Sequence, residues 1–356
     1  MKIGKFFEYY GKNILEFLAK IFIKNEQLSP SDINPNKIKK VLIIRQDRKV
    51  GNMILSTPLF ECTHHLLPEA MIDIIVAKNL KVLCDDIPYL NSSYVFDHKI
   101  FIKNPVKFFR LIHKLRKNNY DLVIDSSNPD GSSFLNGLLT YLTKAPIRIG
   151  YASGKGSIFD NIHITPDHSK HYYYKQQELI NFLSTDKIIF KPKIFSSEVD
   201  KNSTRKYLME KSNFRTNSKI IGLWIGARHN KKWDIENFET LYNRIKSETA
   251  HSPILAFGIE ETEEYKKFGN SNYRTIHLDD LKKLKSFISS CDIFICGDTG
   301  PLHFSFALSV STIGVFLQNN YVTYGYADSD NNFIVKPAET DKMIEEIMDS
   351  IKKIIS

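Results

Sequence analysis

The chain has few cysteines, no long apolar run and no short repeats. Four cysteines are spread over 356 residues without the spacing of a zinc site. They are Cys62, Cys84, Cys291 and Cys296, and we predict small core side chains in a reducing compartment. No apolar stretch reaches the length that spans a bilayer. A Gly-x-Gly-x-x-Gly loop is also missing after the first predicted strand, which argues against a nucleotide-binding dehydrogenase.

Acidic residues are fewer than basic ones. Lysine and arginine number 49 against 40 aspartates and glutamates, a net charge of +9. Such an excess indicates an anionic partner, which could be a nucleic acid, an acidic membrane surface or a phosphorylated substrate, although it could also serve solubility alone. Basic and aromatic residues are not concentrated on one face, so we expect no nucleic-acid partner.

Residues 1–36 are predicted to form an amphipathic arm. Its apolar residues recur at helical spacing opposite a face rich in lysine: Ile3, Phe6, Phe7, Tyr10, Ile14, Phe17, Leu18 and Ile21. Glu8 and Glu16 interrupt the pattern and no cleavage site follows, which argues against a signal peptide. The helix lies either on an anionic lipid surface, which the basic and aromatic pattern favours, or on the protein itself.

Strands and helices alternate along the rest of the chain. The first series predicts strands at Val41–Arg45, Met71–Val76, Tyr94–Phe96, Leu122–Asp125 and Ile147–Ile149. The second predicts strands at Ile220–Ile225, Ile254–Phe257, Thr275–Ile276, Asp292–Cys296 and Thr312–Phe316. This order is typical of an α/β protein with doubly wound, Rossmann-like parallel sheets.

We therefore predict two Rossmann-like domains, residues 37–190 and 191–337. A final helix, 338–356, could cross back to brace the first domain. Two such domains facing each other leave a cleft between the carboxyl ends of their sheets, which is the expected site of a two-substrate reaction.

The turn Gly297-Asp-Thr-Gly-Pro-Leu-His303 is the most informative segment. It follows an apolar strand and opens a helix at Pro301, a residue suited to the first helical turn. Asp298 or Thr299 can cap this helix. A helix start at the carboxyl end of a sheet is a typical phosphate site, and His303 could hydrogen-bond or pair with the ligand there.

Two more loops follow strands of the same domain. In the first, Gly226 lets the backbone approach a ligand, while Arg228, Lys231 and Lys232 supply positive charge. In the second, Glu260 comes directly after a strand and could hold ribose hydroxyls. Each loop alone could be a solvated turn or a helix cap. Together with the Gly297 turn they predict a site for a nucleoside diphosphate.

These residues, in this order, resemble the ADP-heptose:lipopolysaccharide heptosyltransferases, a bacterial family with the GT-B architecture. The resemblance runs from Lys40 onward. It rests on Val41-Leu-Ile-Ile-Arg, Val50 to Pro58, Arg148-Ile-Gly-Tyr, His171, Gly226 to Trp233, Gly258-Ile-Glu and the Gly297 turn. It implies an inverting transfer of heptose from ADP-heptose to the lipopolysaccharide inner core, without a metal or other cofactor.

The resemblance also implies roles for single residues. Lys231 would meet the donor phosphates and Glu260 would hold the nucleoside. The pyrophosphate and the sugar would be bound by the loop of Asp298, Thr299, Gly300 and His303. It further implies an enzyme at the cytoplasmic face of the inner membrane, in peripheral contact with it.

One position departs from the family. Many relatives have an aspartate after the glycine at Gly51, implied to be the general base, whereas this chain has Asn52. An amide cannot accept a proton at neutral pH. Asp47 or another acid could be the base, Asn52 could only orient the acceptor, or the chain could bind without transferring. A salt bridge from Asp47 to Arg45 or Arg48 is the structural alternative. A different donor sugar or surface-glycan acceptor also stays open.

Overall fold

The computed structural model describes residues 16–17, 19–21, 23, 25–97, 104–211, 218–227, 229–268, 272–326 and 331–356. They form two α/β units. One contains the described residues up to Arg48 and Ser56–Phe190, and the other contains Lys49–Leu55 and Lys191–Ser356. Most of the predicted N-terminal helix lies outside the described residues.

The first unit is built on a six-stranded sheet. Its strands are β1 (Lys40–Arg45), β2 (Met71–Ala77), β3 (Leu90–Phe96), β4 (Leu122–Asp125), β5 (Ile147–Tyr151) and β6 (Ile162–Ile164). Its helices are α1 (Val50–Leu66), of which residues 50–55 group with the second unit, α2 (Pro105–Lys117), α3 (Phe134–Leu142) and α4 (Tyr172–Asn181). The strands are parallel and lie in the order β3-β2-β1-β4-β5-β6.

The second unit repeats this design. Its strands are β7 (Ile220–Trp224), β8 (Ser252–Gly258), β9 (Thr275–Leu278), β10 (Ile293–Gly297), β11 (Ser311–Val315) and β12 (Asn332–Val335). Its helices are α5 (Glu198–Lys211), α6 (Ile235–Glu248), α7 (Thr262–Phe268), α8 (Leu281–Ser290), α9 (Gly300–Ala307), α10 (Tyr321–Tyr324) and α11 (Thr340–Ile355). The parallel order is β12-β11-β10-β7-β8-β9.

The central strands are buried along their length. In β4, β7 and β10 every residue is buried, as expected for parallel strands that carry helices on both faces. The ten predicted strands are confirmed, and so is the doubly wound α/β class. Two strands, β6 and β12, were not predicted. Both are short edge strands that offer few apolar residues to a sequence pattern.

The final helix packs within the second unit. The buried side of α11 includes Met343, Ile347 and Ile351, which join a core cluster with strands of that unit's sheet. This packing places the helix in the second unit, and the expectation that it also braces the first domain stays a prediction. The apolar side of α11 packs against the sheet of the second unit.

The described part of the N-terminal arm contacts the first unit. Glu16 pairs with Lys155 at 2.9 Å, and Arg148 donates a hydrogen bond to Asn25 Oδ1 at 2.8 Å. Phe17 and Ile21, one helical turn apart, are 63% and 52% exposed. A polar side of this segment is thus tied to the protein, while two large apolar side chains face solvent.

The strand order reverses at one place in each sheet, between β1 and β4 and between β7 and β10. At such a point the loops leaving the two strands diverge and open a crevice at the carboxyl ends, where doubly wound proteins bind ligands. A ligand site is therefore expected beside the residues that follow these four strands.

Candidate active site

Lys231 and Asp298 meet where the order of the second sheet reverses. Asp298 follows β10, and Lys231 ends a short 3-10 turn after β7. Lys231 Nζ lies 2.5 Å from Asp298 Oδ2, and Asn320 donates Nδ2–H to the same oxygen at 2.5 Å. The Asp298 side chain is 7% exposed and that of Lys231 is 35% exposed. A carboxylate repels a diphosphate, so Asp298 is suited to position the ammonium group, whose exposed part can meet a phosphate.

Helix α9 begins without a side-chain cap. Thr299 occupies the N-cap position but makes no capping hydrogen bond. Its hydroxyl donates instead to the carbonyl of Gly297 at 3.3 Å. The carboxylate of Asp298 is engaged by Lys231 and Asn320. The predicted capping role of Asp298 or Thr299 is therefore wrong, and the positive end of the helix stays open to an anion at Gly300.

His303 is buried one turn into α9. Its Nδ1 lies 2.8 Å from the hydroxyl of Tyr326, whose ring stacks on Phe306. Burial lowers the pKa of His303 to about 4, with smaller opposing effects of Asp298, which raises it, and Lys231, which lowers it. The imidazole is therefore neutral at pH 7. It can hydrogen-bond to a ligand but does not supply charge.

This neutral histidine makes stability depend on pH. The unfolded chain protonates it near its ordinary pKa of 6.5 and the folded chain only near 4. The unfolded state thus binds more protons between these values, and stability falls as pH falls through the interval. Between pH 7.5 and 5 we expect the wild type to lose about 2 kcal/mol more than His303→Gln, measured by urea unfolding.

The comparison with the variant is needed because Asp125 also titrates in this range. Burial raises the pKa of Asp125 to about 6, so the folded chain binds more protons at this group than the unfolded chain does. Its contribution to stability is therefore lost as pH rises, which is opposite to the effect of His303. Equal pH dependence in the wild type and His303→Gln would contradict a neutral, buried His303.

The two acids after β8 have different surroundings. Glu260 is exposed, whereas Glu261 is buried. A Cβ at Gly226 would lie 2.8 Å from Glu261 Oε2 and 2.9 Å from the indole nitrogen of Trp224. Burial raises the pKa of Glu261, and Lys232 opposes the shift. The close approach at Gly226 is thus made by the Glu261 carboxylate, and Glu260 is the acid at the surface.

The two described lysines of the Gly226 loop contact different carboxylates. Arg228 lies outside the described residues. Lys232 Nζ lies 3.0 Å from Glu264 on α7, while its neighbour Lys231 reaches Asp298. Two adjacent lysines therefore have different partners, which makes them a matched pair for mutation.

Asn52 lies in the first turn of α1, within the segment Lys49–Leu55 that groups with the second unit. The residue before it, Gly51, contacts the imidazole of α9: a Cβ at Gly51 would lie 2.6 Å from His303 Cδ2. Gly300 is close to the same segment, since its Cβ would lie 3.4 Å from that of Val50. Any side chain at position 51 would displace the imidazole.

A fully buried arginine lies where the order of the first sheet reverses. Arg45, 1% exposed, ends β1. Its guanidinium lies 3.0 Å from Asp47 Oδ2, donates to the hydroxyl of Tyr172 at 3.0 Å, and also donates to the carbonyl of Ser126. The Asp47 side chain is 36% exposed. The ion pair named as the structural alternative for Asp47 is thus formed, and it holds a half-exposed carboxylate at the strand end.

Four residues of these sites were not predicted as site residues. Asn320 and Tyr326 lie beyond β11 and reach Asp298 and His303. Tyr172 holds Arg45 from α4, and Gln176 accepts a hydrogen bond from the Ser126 hydroxyl at 2.6 Å. An aromatic or amide side chain far along the chain carries no motif, and only the fold brings it to the site.

Within the described ranges, no cluster of three or more His, Cys, Asp or Glu side chains could hold a metal ion. No helix in that same part of the chain is long and apolar enough to cross a membrane. All four cysteines are free and buried, as predicted.

Comparison with known proteins decides the family. The sequence model described as glycosyltransferase family 9 (heptosyltransferase) matches residues 108–353. The chain belongs to glycosyltransferase family 9. It is 24% identical over 326 residues to lipopolysaccharide heptosyltransferase 1 of Campylobacter coli, covering 86% of this chain and 90% of the relative.

Solved structures of family 9 proteins share the fold. A Veillonella parvula member superposes with a TM-score of 0.72 at 19% identity, over 89% of this chain and 90% of that one. The E. coli heptosyltransferase WaaC with ADP gives 0.68 at 17% identity, over 87% and 99%. The resemblance seen in the sequence is confirmed, and this family 9 protein is a glycosyltransferase with two Rossmann-like units.

Proposed function

We propose that this family 9 enzyme transfers heptose from ADP-heptose to a hydroxyl of the lipopolysaccharide inner core, inverting the anomeric carbon. The observation that carries the proposal is the half-exposed Lys231, held by the buried Asp298 beside the uncapped start of α9. The names of relatives agree with it: one is a lipopolysaccharide heptosyltransferase, and a neighbouring structure holds ADP-2-deoxy-2-fluoro heptose.

Departure of ADP is the step that the second unit would assist. The bond between the sugar C1 and the phosphate oxygen breaks, and its electron pair goes to the diphosphate. Lys231 and the Gly300 N–H at the start of α9 would stabilise the added charge, because fixed donors act most strongly where charge develops. His303 would add a neutral hydrogen bond, and Glu260 would accept hydrogen bonds from ribose hydroxyls.

The attacking hydroxyl must lose a proton, and we assign Asp47 as the acceptor of that proton. The position is supported by its place at the carboxyl end of β1 and by the ion pair that fixes it to Arg45. Asn52 cannot take a proton, but its amide can orient the acceptor hydroxyl.

The proposed acceptor is a membrane lipid, so the enzyme would work at the cytoplasmic face of the inner membrane in peripheral contact with it. A net charge of +9 and the exposed Phe17 and Ile21 of the arm support this association.

Mass spectrometry of products from a panel of ADP- and UDP-sugars, with a heptose-free core as acceptor, tests the function. We expect a mass gain of one heptose with ADP-heptose alone. Transfer of another sugar would point to a different donor. Donor binding by calorimetry without any turnover would identify a non-catalytic homologue and would overturn the proposal.

A further inference from the structure

The outward face of α2 in the first unit combines exposed apolar and basic side chains. Val106 is 57% exposed and Phe109 is 66% exposed. They lie in the first turns of a 13-residue helix that contains no aspartate or glutamate. Exposure of this extent at two neighbouring large apolar residues is unfavourable in water unless another surface covers them.

The inner face of α2 is settled by packing. Phe108, Ile112 and Leu115 are buried in a core cluster with strands of the first sheet. Asn104 caps the helix, accepting a hydrogen bond from the backbone N–H of Lys107 at 3.0 Å. Because the helix is fixed from inside, the outward stripe is a stable surface that substitutions there would not unfold.

Positive charge surrounds the apolar pair. Residues 106, 110, 113 and 117 follow one another at helical spacing on the side opposite the core. Lys107, Arg110 and Lys117 are all exposed. The other two cations are partly engaged: Lys114 lies 4.9 Å from the ring centre of Tyr94, and Arg116 donates to a carbonyl at 2.7 Å.

The exposed apolar residues of α5 lack this charge pattern. On α5 of the second unit, Val199 and Tyr207 are 76% and 52% exposed. That helix carries acids as well as bases, and Lys201 and Lys206 lie 3.8 and 3.7 Å from glutamates of the same helix. A helix of mixed charge is not complementary to an anionic surface, whereas α2, which carries basic and no acidic side chains, is complementary to it.

We propose that α2 is a membrane-docking surface that lies on an anionic phospholipid bilayer. Val106 and Phe109 enter the boundary between headgroups and acyl chains, and the surrounding cations contact lipid phosphates. An acidic protein or nucleic acid would satisfy the cations but would leave the apolar pair without an apolar partner. The inference adds a specific surface to the proposed membrane association. It is tested without nucleotide sugar or lipopolysaccharide, so its outcome is independent of the proposed transfer.

Vesicle co-sedimentation of the full chain tests the surface. With phosphatidylglycerol-rich vesicles, the double variant Val106→Ser/Phe109→Ser should bind about tenfold more weakly than wild type, since two buried apolar side chains are lost. The control Val199→Ser/Tyr207→Ser should bind as wild type. Neutral phosphatidylcholine vesicles should bind wild type poorly. Wild-type affinity of the α2 variant, or no preference for anionic lipid, would overturn the proposal.

A fluorescence measurement distinguishes insertion from charge attraction alone. The two native tryptophans, Trp224 and Trp233, are both buried, so they give a constant background. In Phe109→Trp, anionic vesicles should shift the emission to shorter wavelength, and lipids brominated on their acyl chains should quench it. Binding with no shift and no quenching would show that an anionic surface attracts the helix without taking up its apolar side chains, which would contradict the docking mode.

Discussion

Lys231→Gln should lower kcat/KM for sugar transfer about a hundredfold or more, the usual loss when one donor to a developing anion is removed. Lys231 lies beside the open start of α9, and its Nζ is already placed 2.5 Å from Asp298 Oδ2. Glutamine removes the charge and keeps a polar side chain that is one atom shorter. Initial rates with the donor varied, together with calorimetry of ADP, check the expectation.

The adjacent lysine is the control. Lys232→Gln removes the same charge one residue away, but that side chain pairs with Glu264 on α7. A half-exposed pair of this kind contributes little, so we expect a change in kcat/KM of about twofold or less. Similar losses in both variants would mean that net charge of the loop matters, and not the position of Lys231.

Asp47→Asn should lower kcat by roughly a hundredfold to ten-thousandfold, the range of a general base, while ADP binding stays unchanged. The variant keeps the shape of the side chain but cannot accept a proton. Single-turnover rates measure the loss. The free energy of unfolding is measured beside it, because the buried Arg45 loses a carboxylate partner.

Two further variants locate the base. Asp97→Asn also removes an ion pair of the first unit, the one with Arg48 at 3.1 Å, and should leave kcat within about twofold. Adding Asn52→Asp to Asp47→Asn returns an acid to the place that many relatives use, and should recover part of the rate. Wild-type kcat in Asp47→Asn would exclude Asp47 as the base.

The sequence predicted the sheets well because the central strands are continuous apolar runs bounded by turn residues. It also placed Lys231 and Asp298 at one sheet edge, since both follow strands of the same domain. The direction of a side chain is not set by its strand. Lys231 and Lys232 are neighbours in sequence, yet one reaches Asp298 and the other Glu264.

Contacts that no strand or turn pattern specifies explain the remaining differences. Thr299 has the chemistry of a cap, but its hydroxyl bonds the carbonyl of Gly297. Gly226 follows β7 as a ligand-contacting glycine would, yet the carboxylate of Glu261 fills the space beside it. The first partner is local and the second lies after the next strand, and no sequence pattern specifies either contact.

In the proposed reaction, the ion pair of Lys231 and Asp298 would also affect the release of product. An arriving diphosphate would share the ammonium with a carboxylate already bonded to it, so each phosphate contact there would be weaker than one to a lysine without that partner. The same competition would act on the ADP that remains after the sugar has left. Asp298 would thereby limit product inhibition and favour turnover over tight retention of the nucleotide.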